Sequence, residues 1–170
     1  GDNLINALLI DRTKVLWMGT ESRGGVTLDL FRKKFNHLEN HTPTGLSLTN
    51  NLVTAIAGSG NTIWVGTAFN GLDKLDFKPD NTVQTTHFSR IPIGSGRTSN
   101  EIISLLHDKS NTLWIGVASN NVVTYHEKTG FKQIFAGGFV FALWQDREDD
   151  IWLGTWGQGV GLFQPLSNSI

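Results

Sequence analysis

The sequence predicts an all-β protein assembled from repeated small antiparallel sheets, and three observations predict it. A Trp-x-Gly phrase occurs four times, with its tryptophan at positions 17, 64, 114 and 152. A short apolar run precedes each phrase, and a polar turn separates the two. The 19 glycines among 170 residues favour many tight turns. The spacings of 47, 50 and 38 residues between the tryptophans lie in the range typical of repeat architectures such as β-propellers.

The first two strands of each repeat follow from its apolar run and its Trp-x-Gly phrase. Short apolar runs indicate strands buried on both faces, and the polar turn after each run predicts a hairpin. In the second strand the indole offers a large apolar plate, and the glycine lets a neighbouring backbone approach closely. The apolar runs are LINALLI from Leu4, LVTAIA from Leu52, IISLL from Ile102 and FVFALW from Phe139. The structural pairs in the second strands are Trp17 and Gly19, Trp64 and Gly66, Trp114 and Gly116, and Trp152 and Gly154.

Two further strands complete each repeat. A third strand begins near Gly25, Gly71, Asn121 and Gly159, and a more polar fourth strand is expected near Phe35, Thr85 and Phe131. The last repeat stops before a fourth strand. Four antiparallel strands that become more polar outwards form one propeller blade. We therefore expect a β-propeller segment of about four blades, at residues 1–40, 41–90, 91–135 and 136–170, with the last blade incomplete.

Composition excludes several other classes of protein. The chain has 14 basic and 15 acidic residues, so it lacks the positive charge typical of nucleic-acid-binding proteins, and we expect no nucleic-acid partner. No apolar run approaches the roughly 18 residues that predict a membrane-spanning helix, so we expect no direct membrane insertion by this segment. The sequence contains no cysteine, which excludes disulfides and thiolate metal ligands. We expect one folded unit over residues 1–170.

The repeated phrase resembles the two-component regulator propeller repeat. The resemblance lies in the apolar strand, the Asp-x-x-x turn, Leu/Ile-Trp-Ile/Val/Met-Gly-Thr and the glycine-containing turn that follows, and it covers nearly the whole chain in four copies. The stretch TGLSLTNNLVTAI, Thr44 to Ile56, resembles the linker into the next blade of this family. The resemblance implies the extracytoplasmic sensor region of a bacterial signalling protein, commonly a hybrid histidine kinase, and many such sensors detect products of polysaccharide breakdown.

Several departures from the repeat are expected to change local turns only. The third copy has Val117 where the other copies have threonine, and Ser119 to Asn121 where glycine is usual. The first copy is interpreted as one residue longer, because Trp17 to Val26 spans nine positions where the other copies span eight. Gly58 takes the place of the turn aspartate in the second copy.

The turns between second and third strands are the predicted ligand site. In a propeller these turns share one end with the connections between blades, so segments that are distant in sequence converge there. Aromatic rings beside amides and a guanidinium suit a carbohydrate, whose C–H faces stack on rings while its hydroxyls require donors and acceptors. The alternative is that the rings cap the core between blades and the amides serve the turns. The candidate residues are Arg23, Phe69, Asn70, Asn120, Trp156 and Gln158.

The connections between blades supply one more candidate. They are the irregular segments HTPTGLSLTNN from His41 and IPIGSGRTSN from Ile91, and loops on a rigid scaffold often carry recognition. Arg97, among glycine and serine, suits a carboxylate or sulfate on an acidic sugar, although a solvated loop arginine is the simpler interpretation.

Metal and catalytic sites find little support in the sequence. Asp11, Asp108 and Asp146 precede the tryptophan strands at a constant interval, and hydrogen bonds to turn amides explain them better than a cation does. The five histidines lack the spacing of a zinc site, and no nucleophile motif occurs. We expect no metal, no cofactor and no catalytic residue.

Three functions remain open from the sequence. The first is a ligand-sensing propeller region that recognises an oligosaccharide or other small ligand and contacts remaining blades or a second subunit. The second is an enzyme that resembles streptogramin lyases, which require magnesium and a histidine site, for which His41 and His87 are the nearest candidates. The third is a protein-interaction scaffold without a small-molecule site. Metal-dependent turnover separates the second function from the first.

Overall fold

The computed structural model describes residues 4–29, 34–40 and 46–165, and every regular element in these ranges is a β-strand. Four antiparallel sheets follow one another along the chain, and the strands of each sheet lie side by side in chain order. No helix of the described residues is long and apolar enough to cross a bilayer.

The four sheets are numbered here by their place in the chain. Sheet 1 contains β1 (Ile5–Ile10), β2 (Val15–Thr20), β3 (Gly24–Asp29) and β4 (Lys34–Leu38). Sheet 2 contains β5 (Val53–Ser59), β6 (Thr62–Thr67), β7 (Leu72–Phe77) and β8 (Val83–Phe88). A small hairpin of β9 (Ile91–Pro92) and β10 (Thr98–Ser99) precedes sheet 3. Sheet 3 contains β11 (Ile102–His107), β12 (Leu113–Val117), β13 (Asn121–His126) and β14 (Gly130–Ala136), and sheet 4 contains β15 (Val140–Gln145), β16 (Ile151–Thr155) and β17 (Gly159–Phe163).

The first strands of the sheets line the inside of the arrangement. β1 contacts β5, β5 contacts β11, and β11 contacts β15. The sheets therefore follow one another in a row, and the first strand of each sheet contacts the first strand of the next. Each first strand has an irregularity at the same point of its pairing with the second strand, for example between Val53 and Ala55. The architecture is therefore all-β and propeller-like, with sheets of three or four strands as the sequence predicts.

The core consists of layers between successive sheets, and the repeated tryptophan belongs to each layer. Trp17 packs on Phe77 of sheet 2 with ring centroids 5.5 Å apart, Trp64 packs on Tyr125 of sheet 3 at 5.4 Å, and Trp114 packs on Phe163 of sheet 4 at 5.0 Å. These three tryptophans are 3–6% exposed. In three of the four copies the repeated phrase thus buries the same indole against the next sheet.

The glycine of the phrase admits the first strand of the next sheet. A Cβ atom at Gly19 would lie 2.5 Å from Val53 Cγ1, and one at Gly66 would lie 2.5 Å from Ile102 Cγ2. A Cβ atom at Gly116 would lie 2.7 Å from the carbonyl oxygen of Val140. Real Cβ contacts are longer than this, so the close approach of sheets requires glycine, and this expectation is confirmed.

Two interpretations of the repeat register are wrong. Each tryptophan pairs with the residue ten positions further on, Trp17 with Thr27 as Trp64 with Lys74, so the first copy has no extra residue. The residue that matches Asp11 in the second copy is Ser59 and not Gly58. Asp11 and Ser59 each stand two positions after the residue that pairs with the tryptophan of their sheet. Sequence spacing points to Gly58 instead because the β5–β6 hairpin is one residue shorter. A shorter turn shifts sequence spacing without shifting the strands.

The segment from Ile91 is more ordered than expected. The sequence suggests an irregular connection, whereas β9 and β10 pair there and Arg97 lies in their turn, with Ile93 N–H donating to the Arg97 carbonyl at 3.0 Å. The hairpin contacts β14, and Gly94 fits against the Gln133 side chain. Ile91 and Ile93 are buried in the layer between sheets 2 and 3, which explains the local order.

Candidate ligand site at the turn end of the sheets

The turns between second and third strands lie beside the segments that enter the sheets. The same backbone hydrogen bond recurs in all four repeats: Glu21 N–H donates to Leu4, Ala68 to Leu52, Ala118 to Glu101 and Trp156 to Phe139, at 2.9–3.3 Å. The turns and the connections therefore occupy one end of the molecule, named here the turn end. This placement agrees with the premise on which the ligand residues were predicted.

In three of the four turns a threonine hydroxyl donates a hydrogen bond to the carbonyl of the glycine four residues further on. The Thr67 hydroxyl donates to the Gly71 carbonyl at 2.9 Å, and the same bond joins Thr20 to Gly24 and Thr155 to Gly159. In the third copy Val117 has no hydroxyl, and Asn120 takes the left-handed backbone conformation with φ +58°. Its neighbour Asn121 is 3% exposed, donates to the Ser119 carbonyl at 2.8 Å and accepts from Gln133 at 2.7 Å. The expected change of turn geometry in this copy is thus present.

Phe69 and Asn70 form a polar and aromatic group with two connections. Asn50, before sheet 2, donates from Nδ2 to the Asn70 side-chain oxygen at 3.0 Å. Asn100, before sheet 3, donates from its side chain to the Phe69 carbonyl. The Phe69 ring is 55% exposed, so it does not cap a layer of the described core. One ring beside three amides is an arrangement that can stack on a sugar and bond its hydroxyls.

Trp156 and Gln158 lie in the corresponding turn of sheet 4. The Trp156 side chain is 73% exposed, and its ring centroid lies 5.5 Å from that of Phe141 on β15. Gln158 is exposed and lies beside Gly138 in the segment that enters the same sheet. Trp156 thus belongs both to the turn end and to the aromatic surface of the last sheet.

The remaining candidates are exposed and lie apart from this group. Arg23 is anchored through its backbone, whose N–H donates to the Thr20 hydroxyl at 3.1 Å. Arg97 lies in the β9–β10 turn, and Asn120 accepts from Gly137 N–H through its carbonyl at 2.8 Å. The contacts of the described residues join each turn to its adjacent connections. They do not assemble all seven candidate side chains into one pocket.

A buried carboxylate that the sequence analysis missed fastens the connection before sheet 2. Asp73 on β7 is fully buried, accepts hydrogen bonds from the Thr49 N–H at 2.8 Å and from its hydroxyl, and lies 2.7 Å from His87 Nδ1. An acidic residue in the apolar pattern of a third strand is the signal that could have found it. His87, a candidate for the lyase alternative, is thereby engaged by a structural carboxylate. His41, the other candidate, lies outside the described residues.

The turn aspartates bind their own tryptophans. Asp11 Oδ2 accepts from Trp17 Nε1–H at 2.9 Å, Asp108 from Trp114 at 2.8 Å and Asp146 from Trp152 at 2.7 Å. Asp108 Oδ1 also accepts two turn amides, which confirms the turn interpretation. Burial tends to raise the pKa of Asp11, but hydrogen bonds from Thr13 and Trp17 lower that pKa overall. Within the described ranges, no three acidic or histidine side chains form a group that could hold a metal ion.

Comparison with known proteins identifies similar structures. The extracellular domain assigned to the hybrid two-component system BT3049 of B. thetaiotaomicron matches 98% of this chain at a TM-score of 0.76 and 22% identity. The extracellular domain assigned to the one-component system BT4673 of the same organism matches 97% at 0.70 and 23% identity. No protein-family model and no curated relative matches the chain.

The chain spans about a quarter of the length of these structures, 23% and 21% respectively. PorZ of Porphyromonas gingivalis, a surface component of the type-IX secretion system, also matches, at a TM-score of 0.72 and 14% identity over the whole chain and 27% of PorZ. Virginiamycin B lyase of Staphylococcus aureus matches less closely, at 0.51 and 13% identity over 96% of this chain and 71% of the lyase. At these identities the comparisons show a shared fold, and this is the fold of the sensor family that the repeats resemble.

Proposed function

We propose that this chain is part of the extracytoplasmic sensor region of a bacterial two-component signalling protein, and that it binds an oligosaccharide or other small ligand at the turn end. The fold shared with extracellular domains of such systems supports the location and the sensing role. A kinase or other output would belong to the rest of the protein. The segment itself acts in this proposal by binding and not by catalysis.

The observation that carries the binding proposal is the group around Phe69. Its ring is exposed on a turn that is fixed on both sides, by Asn50 to the connection before sheet 2 and by Asn100 to the connection before sheet 3. A ring held on a rigid frame loses little conformational entropy when a ligand stacks on it. Amides beside it supply both donors and acceptors to hydroxyl groups.

Apolar side chains are exposed on the outer face of the first sheet and on that of the last sheet, and this exposure supports the proposal that the segment binds a partner there. Sheet 4 exposes Trp144, Trp152 and Val160 at positions where sheet 3 places Leu106, Trp114 and Val122 against its neighbour. Sheet 1 exposes Leu8 and Ile10 on its opposite side. Exposed apolar patches of this kind mark association sites, so we propose that remaining blades or a second subunit cover them.

Titration calorimetry against a panel of neutral and acidic oligosaccharides tests the ligand. Saturable heat from one glycan class, lost in Phe69→Ala and reduced in Trp156→Ala, is the expected result. Trp144→Ala is the matched control, because Trp144 is similarly exposed but lies on a strand away from the turn end. Heat that survives Phe69→Ala would contradict the site. Silence across the panel would favour the protein-interaction scaffold.

A further inference from the structure

One of the four repeated tryptophans lacks the partner that the other three have. Trp17, Trp114 and Trp152 each donate Nε1–H to an aspartate carboxylate at 2.7–2.9 Å. Trp64 occupies the same place in sheet 2, where the shorter β5–β6 hairpin puts Ser59 at the aspartate position. The serine side chain does not reach the indole, and Trp64 Nε1 is buried without a hydrogen-bond partner.

An unpaired buried donor is costly, which makes this position unusual. Leaving a buried polar group unsatisfied costs about 1–3 kcal/mol, and native proteins contain few such groups. Trp64 is only 3% exposed, so bulk water does not readily solvate its N–H group. The position therefore favours an external acceptor that can reach the indole.

The Trp64 ring lines a cleft, and an acceptor in the cleft reaches the buried Nε1 after a small movement of the side chains that cover this atom. The cleft has a volume of about 320 Å³ and lies between sheets 2 and 3, at the end of the β5–β6 and β13–β14 turns, opposite the turn end. His107 also lines this cleft, and its Nδ1 is the second buried side-chain atom of the described residues without a partner. Burial lowers the pKa of His107, which favours the neutral ring, although Asp108 opposes the shift.

Lys128 is the cation of this cleft that an anionic ligand could pair with. The charges of Lys74 and Lys128 are balanced by Glu127 and Asp76, but both carboxylates pair with Lys74 and neither pairs with Lys128. Lys74 Nζ lies 5.5 Å from the centroid of the Trp64 ring and pairs with Asp76 at 3.1 Å and with Glu127. Ser59 and Asn111 add further polar groups to the lining.

We propose that this cleft binds a small hydroxycarboxylic acid, whose carboxylate accepts the Trp64 Nε1–H bond that an aspartate accepts in the other repeats. A hydroxyl group on the ligand pairs with His107, because a hydroxyl can donate to or accept from either tautomer of the neutral ring. The volume of the cleft accommodates a molecule of the size of a monosaccharide acid. The site is separate from the turn end, so its failure and the failure of the proposed function are independent.

Indole N–H resonances in a ¹H–¹⁵N correlation spectrum test the proposal directly. The chain has six tryptophans, and Trp64→Phe assigns the Trp64 signal because it removes the N–H group and keeps an aromatic ring. Titration with sodium acetate, lactate and glucuronate is expected to move the Trp64 signal saturably, with glucuronate or lactate binding at least several-fold more tightly than acetate. Glucose, which lacks the carboxylate, is expected to leave the signal in place. A Trp64 signal that ignores all three acids, or that moves equally with glucose, would overturn the proposal.

A second variant supplies the missing acceptor for Trp64 from the chain itself. Ser59→Asp places a carboxylate at the position of the other turn aspartates, so the Trp64 signal should shift without ligand and lose its response to the acids. Ser95→Asp adds the same charge on the exposed β9–β10 hairpin and should leave the response unchanged. If Ser59→Asp keeps the full response to glucuronate, the acid binds somewhere other than the indole and the proposal is wrong.

Discussion

The smallest scale at which the repeat acts is the single glycine after each tryptophan. Gly66 lies so close to Ile102 of the next sheet that a methyl group has no room, whereas a Cβ atom at Gly154 would meet only Ala142 of its own sheet, at 3.2 Å. The two glycines have the same sequence context, and they differ in whether the described chain places a sheet over them.

Gly66→Ala is expected to lower the free energy of unfolding by about 1–3 kcal/mol, the usual cost of overpacking a core. Gly154→Ala is the matched control and should change it by less, because its neighbour is a single methyl group. Urea unfolding followed by tryptophan fluorescence measures both variants. Equal losses would show that glycine serves the strand backbone and not the contact between sheets.

The turn aspartate Asp11 makes the stability of the fold depend on pH. Hydrogen bonds from Thr13 and Trp17 favour the ionised form of Asp11 and outweigh the effect of burial, so its native pKa lies below its value in the unfolded chain. A carboxylate with a depressed native pKa stabilises the fold above its unfolded pKa, about 3.9, and loses that contribution as pH falls through the native pKa.

Asp11→Asn should therefore be less stable than the parent chain at pH 7, and the two should converge as the pH falls below about 4. Urea unfolding at pH 7, 5 and 3 checks the expectation. A difference that is constant over this range would mean that the carboxylate charge does not contribute.

At the scale of elements, the connection before sheet 2 is held by one buried side chain. Asp73 binds Thr49 through both backbone and hydroxyl, and it pairs with His87 on the adjacent strand. This arrangement fixes the stretch that carries Asn50, which in turn holds Asn70 at the turn end. The candidate ligand group thus depends on a carboxylate that does not face it.

Asp73→Asn is expected to reduce the free energy of unfolding by roughly 1–3 kcal/mol, because a neutral amide cannot satisfy all the donors that meet the carboxylate. Glu101→Gln removes the same charge from an exposed position and should be nearly silent. Chemical denaturation measures the loss of stability, and calorimetry with the same panel of oligosaccharides measures the effect on the proposed binding. A silent Asp73→Asn would show that the connection is held by its backbone alone.

At the scale of the whole molecule, the row of sheets ends in apolar faces that are exposed among the described residues. Trp144 is 61% exposed and Leu8 is also 61% exposed, on opposite ends of the row. In the layers between sheets the equivalent faces are buried, which indicates that the terminal faces favour association.

The isolated chain is accordingly expected to associate as its concentration rises, and Trp144→Lys should weaken this association at least several-fold. Phe69→Lys is the control, since Phe69 is similarly exposed at 55% but lies on the turn end. Sedimentation velocity over a range of concentrations distinguishes the two. Equal effects would assign the association to general surface hydrophobicity.

The candidate site could be predicted in part. Phe69 and Asn70 could be placed at the end shared by turns and connections, because the chain reverses direction at each turn of an antiparallel sheet and successive turns therefore lie at opposite ends. Their partners Asn50 and Asn100 could not, since the contact depends on how each connection folds over the sheet. Trp156 likewise has the exposed position expected of it, but its stacking on Phe141 follows from the shape of the last sheet.

The sequence by itself determined the all-β class, the order of strands and the burial of the repeated indole wherever a further sheet follows, because periodic apolar residues and glycines encode local pairing and packing. Only the tertiary structure decided which residues are equivalent across repeats. Spacing along the chain shows Gly58 in place of the aspartate, whereas strand register shows Ser59, because a hairpin can lose one residue without moving its strands. The unpaired Trp64 indole is a consequence of that register, and it arises where two sheets meet.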